Sequence, residues 1–370
     1  MHRGIFWNHC LEDCYGPFPV PHDDVLFATR AYCLTQKDDI IQLPPEVKPF
    51  HQWISGHYAK VGLHVTQQIV WSKEYFLAER YTDCVPSVYF FGPKAHAIWP
   101  DRPRLETSLQ YNNKLRASEA FDALDISANT PFINFHSGKG EINNLPVYDG
   151  VHNFVKGGYS VGGSLVFSCR ILKEYQEVIA AIDPIMPLQF QKAIVQPDGK
   201  AGIPITLFYY INAEGPEPIV ATQQILDGYS HAGNIYPTEH QPWEVTDTII
   251  KEMHREGMRG HVAFNLIGIP LADGGFSYWI IECNPRWGGS AYYKYLGDIL
   301  EVDSWCVRVF KTTKTDLNDL RLGNLTFDPQ TKKGIVVINW GTILLGELQI
   351  FMAGEKADWS VIEQELGALL

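Results

Sequence analysis

Apolar and polar positions along the 370 residues recur in two periods, and the period changes from segment to segment. In the N-terminal third, Val25–Leu34, Ile40–Leu43, Phe50–Val61, His64–Val70 and Ser87–Phe91 alternate as apolar strands and helical stretches, with Glu74–Ala78 helix-like. That rhythm predicts a small α/β layer on a partly parallel sheet. The Pro-rich stretch Trp99–Arg104 marks a boundary. Beyond it, Asn113–Leu124 predicts a helix capped by Asn112 or Asn113. Ala117, Ala120, Phe121 and Leu124 form its apolar stripe, and Lys114, Ser118 and Asp122 line another face. Strands are then expected at Asn153–Lys156, Ser164–Ser168, Phe190–Val195 and Ile203–Ile211, with helices at Lys173–Ile182 and Glu244–Glu256. A hairpin, His261–Ile267 with Phe276–Cys283, turns at Ala272–Gly275. The longest apolar stretch, Gly334–Gly354, is broken by Asn339, Glu347, Gln349 and several glycines, so it reads as two core strands and not as a membrane span. The chain closes on a helix, Asp358–Leu370, with a capping-box pair at Ser360 and Glu363. The class is α/β and α+β.

Composition narrows the partners. A formal net charge of -12, with no Lys/Arg block, makes nucleic acid a poor partner and favours a small substrate. Met1–His9 lacks the basic-then-apolar order of a secretion signal. Seven cysteines, an odd count without framework spacing, point to a reducing cytoplasm. Cys10 and Cys14, near His2 and His9, do not have metal-site spacing. The oligomeric state stays open.

Three segments carry candidate chemistry. In Ile280–Gly289, alternation on an extended chain sends Glu282, Asn284 and Arg286 to one face and Cys283 to the other. Magnesium takes one or two hard oxygen ligands from protein, leaving phosphates and water to complete its shell. A guanidinium beside that ion matches phosphate oxygens, and Gly288 and Gly289 leave room for backbone to approach a ligand. In Phe154–Gly163, Lys156 ends a strand and precedes a glycine loop whose N–H groups suit phosphate. The lysine precedes the glycines, so this is not the GxxxxGK[ST] loop. The same stretch contains a literal GxSxG around Ser160, with Asp227 and His231 in usable order. A nucleophile elbow needs a helix immediately after the turn, whereas the next run is strand-like. His231, His240 and His254 receive no role.

Taken in order, these marks resemble the ATP-grasp superfamily from about Asn112 onward: a helix-opening Asn113-Lys114, strand Lys156 with its glycine flap, the hinge Gln191–Ile194, and Glu282-x-Asn284-Pro-Arg286. The N-terminal third is similar to the small α/β domain that precedes the grasp in many such ligases. The resemblance implies a pre-ATP-grasp-like domain over 1–111, a grasp subdomain with flap and hinge over 112–195, and a metal-binding subdomain over 196–370. It implies that Lys114 and Lys156 contact ATP phosphates and that Gly157, Gly158, Ser160, Gly162 and Gly163 close over them. The main chain of Gln191, Lys192, Ala193 and Ile194 would read adenine. Glu282 and Asn284 would hold magnesium, two ions in all, and Arg286 would steady the transferring phosphoryl group. The activity implied is an ADP-forming carboxylate–amine ligase acting through an acyl phosphate. Its small substrates would resemble amino acids or short peptides, a placement supported by Gln223, Gln224, Gly233, Asn234 and Pro237. Trp287 would line the acceptor pocket. Two departures stand out: the hinge opens with Gln191 where an acid is frequent, and the preceding strand offers Asn265 where such proteins usually place an acidic metal ligand. An amide oxygen there would coordinate magnesium without adding negative charge. That keeps an ATP-binding module without turnover as the alternative.

Overall fold

The computed structural model describes residues 4–19, 22–74, 78–126, 130, 132–137, 153–159, 165–183, 185–196 and 198–370. Its strands form three sheets. The first is wholly parallel, with β1 (Ile5–Asn8), β2 (Ile40–Leu43), β3 (Ile69–Trp71) and β4 (Val85–Val88) in the order β3-β2-β1-β4. Parallel neighbours need a crossover, and α1 (His51–Lys60) lies between β2 and β3. Two short helices then lead out of this layer, α2 (Pro93–Ile98) and α3 (Arg102–Asn112), and α4 (Lys114–Ala123) leads into the next.

The second sheet is antiparallel, with β5 (Phe132–Ser137), β6 (Asn153–Gly157), β7 (Val166–Cys169) and β8 (Pro187–Lys192) in the order β5-β8-β6-β7. Helix α5 (Leu172–Ala181) buries Tyr175 and Ile179 against Val155, Leu188 and Phe190 of this sheet.

The third sheet has eight antiparallel strands: β9 (Ile203–Ile211), β10 (Pro216–Asp227), β11 (Ser230–Tyr236), β12 (Gly260–Pro270), β13 (Phe276–Asn284), β14 (Trp305–Lys311), β15 (Gly334–Asn339) and β16 (Glu347–Ala353). Their order is β13-β12-β9-β10-β11-β14-β16-β15. Helices α6 (Asp247–Arg255), α7 (Gly289–Leu300) and α8 (Lys356–Gly367) accompany it. On one face, Ile205, Leu207, Tyr209, Phe264 and Leu266 pack on Ile249, Ile250 and Met253 of α6 and on Tyr111 and Phe121. The apolar spacing of α6 aims those three residues at the sheet, as a single-stripe helix must. The other face joins the largest core, which runs from Trp7, Tyr32 and Tyr58 through Tyr292 and Trp305 to Val336, Trp340 and Ile350. Among the described residues, no helix is long and apolar enough to cross a membrane.

Several expectations shift. Val25–Leu34 lies inside a 3-10 helix, His22–Leu34, because its apolar positions face the C-terminal strands from one short segment. The C-terminal helix begins at Lys356, and Glu355 with Asp358 forms its N-terminal box, so Ser360 lies inside the helix and donates to the Ala357 carbonyl. The boundary stretch holds the start of α3, where Asp101 accepts from the Arg104 N–H. Residues 75–77 of the helix-like Glu74–Ala78 lie outside the described set.

Candidate functional site

Asn113 caps α4 by accepting from the N–H groups of Leu115 and Arg116, and this fixes Lys114 at the first helical position. The Lys114 N–H donates to the Gly158 carbonyl at 3.1 Å, joining the helix start to the strand end that follows Lys156. Gln189 of β8 donates to the Lys114 carbonyl and to Ser118 Oγ, at 3.0 and 2.9 Å, and so clamps α4 onto the second sheet. The expected Asn113–Lys114 and Lys156 marks are thus one unit, held by backbone and a buried amide. Ser160, Gly162 and Gly163 lie outside the described residues. Val166 opens a strand shortly after them, where a nucleophile elbow would need a helix.

Opposite this unit stands the β12–β13 hairpin. Its register pairs Ala263 with Asn284, Asn265 with Glu282 and Leu266 with Ile280, leaving Ile281 as an extra residue in a bulge. Strict alternation would put Ile280 beside Glu282. The bulge sends Ile280 into the apolar core while Glu282 and Asn284 keep the other face, with Cys283 buried behind. It also turns the Ile281 carbonyl toward the second sheet, where it accepts from Lys156 Nζ at 3.3 Å and from Gln191 Nε2 at 3.4 Å.

Lys114 Nζ lies 3.2 Å from Glu282 Oε1, and Lys156, 42 positions later in sequence, bonds the adjacent Ile281 carbonyl and acts on the same carboxylate through its charge. Burial alone would raise the Glu282 carboxyl, but Lys114, Lys156 and Arg286 outweigh it and hold the group at about 2. Burial pushes Lys156 down to about 8, against the pull of Glu282. It lowers Lys114 as well, again opposed by Glu282. Three cations around one carboxylate leave an excess of positive charge, an environment suited to a polyanion. Arg286 is buried, and it donates from Nη1 to Asn112 Oδ1. Asn112 in turn donates to the Cys14 carbonyl, linking the site to the N-terminal layer.

Asn265 is held differently from its neighbours. Its Oδ1 accepts from Thr206 Oγ1 at 3.1 Å and from Gln224 Nε2 at 2.9 Å, and its Nδ2 donates to Glu282 Oε2 at 2.8 Å. Thr206 carries no motif but is a polar residue in a mostly apolar strand, whereas Gln224, singled out above with Gln223, closes the polar Thr222–Gln224 run of β10. Glu282 and Asn284 are hard oxygen donors on one face, and they fit a magnesium ion that keeps water and phosphate in its other positions. Among the described residues, no group of three or more His, Cys, Asp or Glu side chains forms a cation site.

Other expected residues have packing roles. Gly288 caps α7, where a Cβ would lie 3.3 Å from Ala263 Cβ, and a Cβ on Gly289 would come within 3.2 Å of His231 and Tyr293. Their lack of side chains serves close packing of helix on sheet. Gly233 is required for the same reason, since a Cβ there would sit 1.8 Å from the Val307 carbonyl oxygen. Trp287 is buried, its ring 3.9 Å from that of His261 and 4.9 Å from that of His9. Gln191 and Ala193 are buried, Ile194 is half-buried and Lys192 is exposed; β8 ends at Lys192, so the next two residues leave the ladder.

No family model and no curated protein matches this sequence. Solved structures do. An N5-carboxyaminoimidazole ribonucleotide synthetase from Thermus thermophilus superimposes with a TM-score of 0.60 at 12% identity, over 99% of this chain and 98% of that one. A carboxyaminoimidazole ribonucleotide synthase from Aspergillus clavatus, complexed with ATP, gives 0.60 at 11% over the same shares. The chain has the ATP-grasp fold. A biotin carboxylase from Campylobacter jejuni matches at 0.52 and 10% identity, over 84% of this chain and 76% of that one. Lys114, Lys156, Glu282 and Arg286 come together where the second sheet meets the β12–β13 end of the third.

Proposed function

We propose that this protein is an ADP-forming carboxylate–amine ligase that binds magnesium-ATP between its second and third sheets. The observation that carries the reading is the convergence of Lys114, Lys156 and Arg286 on Glu282, with Asn284 on the same face. Similarity to ATP-grasp structures at 11–13% identity supports the fold that holds them. In this reading the three sheets correspond to the units 1–111, 112–195 and 196–370.

A carboxylate is a poor electrophile. Attack of its oxygen on the γ-phosphorus of ATP forms an acyl phosphate and releases ADP; an amine then adds to the acyl carbon, and phosphate leaves with formation of the amide. Lys114 and Lys156 hold phosphate oxygens, and Arg286 faces the transferring group with its planar fork. Magnesium neutralises phosphate charge and would be held by Glu282 and Asn284. Asn265 then acts by aiming Glu282, with its own oxygen engaged by Thr206 and Gln224. Main chain at Gln191–Ile194 reads the adenine edge, and Gly157 and Gly158 form the base of the phosphate flap. The substrates are amino-acid-like carboxylates and amines. Seven cysteines, an odd count without framework spacing, support a reducing compartment.

A panel of amino-acid pairs assayed for phosphate release tests the reading, with ADP expected in step with amide. AMP and pyrophosphate in its place would refute it. The neutral residue at 265 favours one rival, an ATP-binding module without turnover: tight nucleotide binding with no ADP from any pair would select it.

A further inference from the structure

Arg30 belongs to none of the groups described above, and its aromatic surroundings leave one edge of its guanidinium without an acceptor. It projects from the 3-10 helix His22–Leu34 toward the junction of the N-terminal layer and α7. Its guanidinium carbon lies 4.5 Å from the ring centre of Tyr89, 4.8 Å from that of Tyr292 and 5.9 Å from that of Phe27. Part of the side chain reaches the surface, yet Nε and Nη2 are closed off from solvent and have no hydrogen-bond partner. A buried guanidinium edge without an acceptor is costly, and buried charges are normally paired.

The Tyr89 and Tyr292 hydroxyls hydrogen-bond the guanidinium but leave Nε and Nη2 without an acceptor. Asp24 accepts from the Tyr15 hydroxyl. The Tyr292 hydroxyl is engaged by His9 Nδ1 at 2.5 Å, and His9 Nε2 by Ser87 Oγ at 2.9 Å. Tyr293 accepts from Gln349. Burial, reinforced by Arg30 itself, keeps His9 well below the ordinary histidine range, so it is neutral. The ring of Tyr89 ties this corner to the proposed chemistry: the guanidinium carbon of Arg286 lies 6.0 Å from the same ring centre. Two arginines therefore flank one tyrosine, Arg286 beside the Glu282 cluster and Arg30 on the side of the N-terminal layer and α7.

We propose that Arg30 binds an oxyanion of the substrate, a carboxylate or a phosphate ester distinct from the group that reacts. The orphaned Nε and Nη2 are the pair of parallel donors that such an oxyanion accepts from. A substrate spanning the two arginines would place its reacting end at Arg286 and its second anionic group at Arg30, so a monofunctional carboxylic acid would be a poor substrate. The substrate assignment rests on the ligase reading; the existence of an anion site at Arg30 does not.

The experiment is calorimetry on the full chain, first with ADP and then with succinate or glycerol 3-phosphate added to the ADP-saturated protein. Wild type is expected to bind one of the two probes saturably, and which one it binds distinguishes carboxylate from phosphate ester. Arg30→Gln should weaken that probe about tenfold or more while ADP affinity stays unchanged. Arg30→Lys, which keeps the charge and loses the fork, should fold and also bind more weakly. The proposal is overturned if wild type binds neither probe, or if both variants bind as wild type does. Failure of wild type to bind ADP would count against the ligase reading alone, since probe binding that depends on Arg30 would stand without it.

Discussion

Lys156 is the residue whose chemistry is most exposed to test. Its folded value of about 8 stands below the ordinary 10.5. Between those two values the unfolded chain holds a proton that the nucleotide-free fold does not. This group's contribution to stability therefore rises with pH across that window. Phosphate oxygens favour the charged form, so nucleotide binding should take up protons near pH 8, and affinity should fall as pH rises through it. Calorimetry in two buffers of different ionisation enthalpy reads that uptake directly, and Lys156→Ala should abolish it while weakening ADP by about tenfold or more. Glu282→Gln should leave Lys114, Lys156 and Arg286 without their shared anion. A loss of about 3–5 kcal/mol is expected in denaturant unfolding, the range for breaking a buried pair, along with loss of magnesium dependence. Asn265→Asp sets a second carboxylate against Glu282, at a position where Nδ2 now donates at 2.8 Å. Without metal the variant should melt lower than wild type, and added magnesium should raise it more. Equal magnesium responses in the two proteins would show that position 265 does not face the ion.

At the scale of elements, the decisive device is the bulge at Ile281. It is what allows a strand with Ile280 and Cys283 in the core to present Glu282 and Asn284 on the opposite face. Deleting Ile281 leaves Ile280, Glu282, Cys283 and Asn284 on the faces they now occupy but removes the bulge carbonyl that accepts from Lys156 and Gln191. The deletion variant is expected to weaken ADP binding, measured by calorimetry, because Lys156 and Gln191 lose the carbonyl that positions them. Retained ADP affinity would mean that the bulge is incidental. The α4 start is the matching device on the other side of the cleft: its cap, the Gly158 carbonyl and Gln189 fix Lys114 to the strand that bears Lys156.

Across the whole molecule, the N-terminal layer is built into the C-terminal sheet. Thr29 donates to Asn339 Oδ1 at 2.8 Å and accepts from the Gly341 N–H at 3.0 Å, and His57 Nε2 accepts from the Val337 N–H at 3.1 Å. The largest core spans both regions. Residues 112–370 expressed alone should therefore lack a cooperative melt by near-ultraviolet circular dichroism, because the apolar face of β15 and α7 would meet water. Independent two-state unfolding of that fragment would show that the shared core is dispensable.

Period and chemistry along the chain were enough to read the helix at Asn113, the β12–β13 hairpin, the closing strands and helix, and the run from Glu282 to Arg286, because each depends on neighbours a few positions away. The 3-10 character of His22–Leu34, the bulge at Ile281 and the role of Gly288 and Gly289 in helix packing depend on distant surfaces, which local propensity does not encode. The same holds for the site's charge balance. A lysine at 114, another at 156 and a glutamate at 282 are each ordinary surface residues in sequence. Only the closure of two sheets onto one another takes them from water, and the loss of hydration is what binds their charges into a single group.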